Sequence, residues 1–106
     1  MKAQAVTANE LHEALLKATA ARQKDRDAIV SFLSTPRAER ALRTAQLDAS
    51  QVKTAVAALN DQELSRLAAR AEKAQSDFAA GALSERDLLL ILVGLAALIL
   101  IIVAVR

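Results

Sequence analysis

Along this chain the spacing of apolar positions changes once, near its end. Residues 88–105 read LLLILVGLAALILIIVAV, without a charged or strongly polar side chain. At ~1.5 Å per residue the run is about 27 Å long, close to the ~30 Å hydrocarbon core of a bilayer. In lipid each backbone amide must be satisfied within its own segment, so the run predicts a transmembrane helix. Ser84 and Asp87 have the spacing of a capping box at its start.

Before that run the pattern is amphipathic. Thr7 and Glu10 have capping-box spacing and open a helix running to about Leu33. Its stripe is Leu11, Ala14, Leu15, Ala18, Ala21, Ala28, Ile29, Phe32 and Leu33, at i, i+3, i+4 spacing. The charged run RQKDRD, residues 22–27, interrupts that stripe and predicts a solvated stretch that packs poorly. Pro36 cannot continue a helix but suits the first turn of one, and Ala38, Ala41, Leu42 and Ala45 mark a short second helix. Asp48 with Gln51 opens a third, with Val52, Ala55, Val56 and Leu59 on one face. Asn60 with Glu63 opens a fourth, striped by Leu64, Leu67, Ala68, Ala71 and Phe78. No stretch alternates as a strand would. The reading is all-α: three to four short amphipathic helices, then one transmembrane helix.

Three segments follow from this. Residues 1–80 form a small helical domain, 81–87 a hinge leading into the membrane, and 88–106 the anchor. Gly81 is the natural hinge, because glycine weakens a helix by ~1 kcal/mol relative to alanine. Inside the anchor Gly94, Ala97, Ile101 and Ala104 share one face, and small residues let membrane helices approach closely.

Composition narrows the chemistry. Fourteen basic and 12 acidic residues leave a net charge of +2, a mixed solvated surface rather than one built for polyanions. There is no cysteine, which excludes disulfides and thiolate ligands. Two phenylalanines and no Trp or Tyr imply a thin core. His12 is the only histidine, and Glu13 points ~100° away from it around the helix, so the two make no acid–base pair. No phosphate-binding glycine loop or metal motif is present. The reading assigns no catalytic, cofactor-binding or metal-binding residue, no small-molecule substrate and no nucleic acid.

One polar cluster stands out. Arg37, Arg40 and Arg43 lie three apart on the second helix, able to meet lipid headgroup phosphates or an acidic partner. Glu39 and Arg43 have the i, i+4 spacing of an ion pair.

At the start, MKAQAVTANE carries no apolar signal-peptide core, yet Ala3-Gln4-Ala5 has the small-x-small pattern that precedes signal-peptidase cleavage. Met1 is therefore either the native start or the remnant of an export signal.

Residues 32–70, FLSTPRAERALRTAQLDASQVKTAVAALNDQELSRLAAR, resemble a family of small uncharacterised bacterial envelope proteins. The matching features are FL, then LD, a helix ending VAALND, the stretch QELSRLAAR, and an apolar tail after a glycine. The resemblance implies an export signal, a short helical domain and one C-terminal membrane helix. It brings no activity or catalytic residue.

These observations converge on a non-enzymatic, single-pass protein of a bacterial inner membrane. It is expected to act as an accessory or scaffolding subunit through helix–helix contacts, touching lipid and a membrane protein partner, with its domain in the periplasm. A self-associating envelope protein and a tail-anchored cytoplasmic adaptor are the alternatives. Lys73 and Arg86 before the span against Arg106 after it lean slightly to the latter.

Overall fold

The computed structural model describes residues 7–106, and the Ala3-Gln4-Ala5 pattern lies outside them. Within that range the chain is helical throughout, with no strand: α1 (Ala8–Leu33), α2 (Pro36–Thr44), α3 (Ala49–Val56), α4 (Asp61–Ala79) and α5 (Glu85–Ala104). Four helices precede the last, at the upper end of the expected three to four, but they are not all short. There are five helices in all, and α1 and α4, of 26 and 19 residues, are long.

The helix starts follow from their caps. Thr7, Thr35, Asp48, Asn60 and Ser84 all have extended backbone, and their side chains accept from N–H groups of the first turn. Asn60 and Glu63 form the reciprocal box: Glu63 N–H donates to Asn60 Oδ1 at 2.8 Å and Asn60 N–H to Glu63 Oε1 at 3.0 Å. Each cap satisfies donors that the helix itself leaves unpaired.

The stops are equally specific. Gly81 has φ +79°, its N–H donates to the Phe78 carbonyl, and the Ala82 N–H reaches back to Asp77. That is a Schellman turn, in which a left-handed residue ends the helix. The hinge position is thus a defined cap. Gln46 does the same for α2 with φ +63°, its own N–H bonding Arg43 and that of Leu47 bonding Leu42.

Side chains from all five helices share one core, including Ile29, Leu33, Leu42, Val56, Leu64 and Ile99, each fully buried. Six of the nineteen buried residues are alanine, which lets the helices approach closely while each contributes little burial. α1 packs mainly on α4, and α5 packs on α2, α3 and α4. In this arrangement the helix read as an anchor belongs to the same core as the segment 1–80.

Two sequence expectations for α1 are corrected. The half of its stripe formed by Leu11, Ala14, Leu15, Ala18 and Ala21 is exposed, because α1 runs on past the other helices as an arm and nothing there covers it. The molecule measures 61 × 33 × 21 Å as a result. Conversely, the charged run is not merely solvated. Arg22 Nη1 lies 2.7 Å from Asp61 Oδ1, and its Nη2 donates to the carbonyls of Ala57 and Leu59 at 3.1 and 2.9 Å. One guanidinium thereby satisfies acceptors left over in the turn after α3 and joins three elements.

Candidate functional site

α5 is apolar all round, yet the fold covers only one side of it. Leu88, Leu92, Leu95, Ala96 and Ile99 are buried. At ~100° per residue they fill an arc of about 100°. Opposite them Leu90, Ile101 and Val105 are 61%, 58% and 79% exposed. Only 28% of the positions in the apolar stretch are buried, and the helix is long and apolar enough to cross a membrane.

The small-residue face lies on this uncovered side. Gly94, Ile101 and Ala104 are exposed and Ala97 is half-buried. A Cβ added at Gly94 would meet nothing within 4 Å. The face is therefore open to whatever surrounds the molecule.

At the start of α5 the polar and apolar features meet. Arg37, on the first turn of α2, sets its Nε 3.1 Å from Glu85 Oε1 and its guanidinium 5.9 Å over the Phe78 ring. Arg37 and Arg40 stand between two grooves. One, of about 500 Å³, is floored by Phe32, Pro36, Phe78, Leu88 and Leu92. The other, of about 630 Å³, runs along α5 over Leu89, Leu90 and Val93, with Arg86 and Glu85 on its rim. Of the three expected arginines, Arg37 and Arg40 are brought to this corner and Arg43 is not among the residues lining either groove. Glu39 pairs with Lys53 of α3 at 3.6 Å in place of Arg43. Sequence reasoning took Arg86 only as a charge flanking the span and did not join it to Arg37 and Arg40. Its signal was its place two residues before the apolar run.

At the far end of α5, Arg106 donates to the Ala58 carbonyl at 2.7 Å and to the Glu63 carboxylate. The hydrogen bond from the Asn60 backbone N–H, with the Arg106 guanidinium beside it, holds the Glu63 carboxyl below the usual glutamate range.

His12 stands on the exposed arm, and no group of three or more His, Asp or Glu side chains placed to hold a metal occurs among the described residues. Nor is any buried side-chain nitrogen or oxygen without a hydrogen-bond partner there. No protein-family model, curated protein or solved structure matches the chain.

Proposed function

We propose that this chain is a single-pass membrane protein that works by contact. In this reading it is an accessory or scaffolding subunit of a bacterial inner-membrane assembly, with α1–α4 on the periplasmic side. The uncovered face of α5 carries the reading. A helix at the centre of a soluble fold is apolar where it is buried and polar where it is not. α5 is apolar on both sides, and the outward side has no protein against it.

The energetic argument turns on that outward side. Leu88, Leu92, Leu95 and Ile99 are out of water whether they face α1–α4 or lipid. Leu90, Ile91, Ile101 and Val105 leave water only when something else covers them, and each large side chain is worth up to about 1.5–3 kcal/mol when fully covered. Lipid covers all of them at once.

Spanning the bilayer has a consequence for the domain. α5 cannot both cross the hydrocarbon core and lie along α2, α3 and α4. When it crosses, the trough formed by residues such as Leu42, Val56 and Leu64 is open, and a partner's helix can fill it. Contact with a partner then replaces burial that the chain otherwise supplies itself. Self-association is the second reading, favoured by the outward placement of Gly94.

The test is fractionation of the full chain from its native membrane. Retention in the pellet after alkaline carbonate is expected, and release into the supernatant would overturn the anchor. Protease added to spheroplasts should remove the α1–α4 region, and full protection would reverse the orientation.

A further inference from the structure

The corner between α2 and the start of α5 combines a cationic border with an apolar floor. Three guanidiniums, Arg37, Arg40 and Arg86, border one groove, against a single carboxylate, Glu85, which Arg37 already pairs. The floor of that groove is apolar and follows α5 over Leu89, Leu90 and Val93. Arg86 precedes Leu88 by two residues, ~3 Å along the helix, so the cations stand where the apolar run begins.

We propose that this groove binds an anionic phospholipid of the bilayer, its phosphate held by Arg37, Arg40 and Arg86 and an acyl chain laid along Leu89, Leu90 and Val93. The inference concerns the packed chain, in which the start of α5 lies along α2, and goes beyond the membrane reading by naming the lipid class that this corner meets at a membrane surface. Arginine suits the headgroup because its planar fork gives two parallel hydrogen bonds to phosphate oxygens. The Arg37–Glu85 pair is exposed on both partners, at 44% and 56%. Exchanging that carboxylate for a phosphate therefore costs little. An acidic peptide would satisfy the arginines and leave the apolar floor wet. Nucleic acid would need a free aromatic face on which to stack a base, and Arg37 covers the face of Phe78.

The experiment uses the full chain in a non-ionic detergent. It is mixed with phosphatidylglycerol or phosphatidylcholine of identical chains, and the lipid retained after gel filtration is quantified. Preferential retention of phosphatidylglycerol is expected, with glycerol phosphate, a headgroup without chains, failing to compete. Replacing both arginines (Arg37→Gln with Arg40→Gln) should lower phosphatidylglycerol retention about tenfold, the loss of one or two charge-assisted hydrogen bonds. Replacing Arg66 and Arg70 of α4 by Gln should leave it unchanged. Equal retention of the two lipids, or undiminished phosphatidylglycerol on the Arg37/Arg40 variant, would overturn the proposal. Helical melts confirm that each variant is folded. Binding in detergent needs no bilayer crossing, so release by carbonate would sink the anchor and leave this result standing.

Discussion

Arg22 on α1 and Asp61 at the first turn of α4 are joined at 2.7 Å, across the turn that Arg22 also binds through the Ala57 and Leu59 carbonyls. The contact lies where α1 leaves the other helices and becomes a free arm. Replacing Arg22 by Ala should therefore destabilise the full chain by about 1–2 kcal/mol, a few charge-assisted bonds in a partly exposed setting. Asp61→Asn should cost less, because the two carbonyls keep their donor. Chemical unfolding in a non-ionic detergent reads both, and equal losses would mean that the ion pair alone matters.

The two left-handed caps make opposite predictions. Gln46 holds φ +63° with a side chain, and Gly81 holds φ +79° without one. Gln46→Gly should stabilise by about 0.5–1 kcal/mol once the extra chain entropy of glycine is deducted. Gly81→Ala should destabilise by about 1 kcal/mol, a purely backbone cost, since its new Cβ meets nothing within 4 Å. Thermal melts of the pair check the signs.

Glu63 makes one contribution to the fold's stability sensitive to acid. Its carboxyl is held below the usual range, first by the Asn60 N–H and then by Arg106. A depressed carboxylate stabilises the folded state fully above its unfolded value, about 4.3 for glutamate. That contribution is lost as pH falls through the lower folded value. The melting-temperature gap between the parent and Glu63→Gln should be constant near neutrality and shrink below about pH 4. A gap that stays constant down to pH 2 would show that the carboxylate charge contributes nothing.

For the proposed anchor, Gly94→Leu should raise the stability of the packed chain by about 0.5–1 kcal/mol, because glycine weakens a helix and the new side chain meets nothing within 4 Å of its Cβ. It should weaken association in native membranes, read by crosslinking or energy transfer, because close packing is what joins helices in lipid. Ala97→Leu should act in the same direction. Leu95→Ala behaves differently. Leu95 is 4% exposed against the core, so its truncation should cost about 2–5 kcal/mol of fold stability.

A fragment ending at Ala80 loses Leu88, Leu92, Leu95 and Ile99 from the shared core. It should remain helical and melt below ~45 °C, the lower edge for mesophile domains. A sharp transition above ~80 °C would mean that α1–α4 stand without any cover.

Helix starts were legible because a cap is a local device: Thr7, Asp48, Asn60 and Ser84 need only the residues that follow them. The faces of α2, α3 and α4 were legible because polar residues mark the side away from the core. α5 offered no such mark. When every position is apolar, periodicity cannot say that Leu92 turns inward and Gly94 outward. The α1 stripe failed for the opposite reason, since Leu11 and Leu15 carry the same signal as Ile29 and Phe32 without a neighbour to meet. Arg22 was hidden by its setting, because one structural arginine inside a charged run looks like the rest. The arginine corner was half legible. Arg37 and Arg40 share a helix, whereas Arg86 reaches them only through the tertiary fold.

The exposed arm, residues 8–21, has a consequence in time. A helix of this length is marginal in water when isolated. Here the packed half of α1 supplies the nucleus, so the arm zips and unzips from its Thr7 end, on the ~0.1–1 µs scale of helix–coil relaxation. Its amides should exchange with solvent orders of magnitude faster than those near Ile29, within a single continuous helix. A partner that grips Leu11 and Leu15 would slow that exchange over the whole arm, so capture at one end becomes readable as rigidity along all of it.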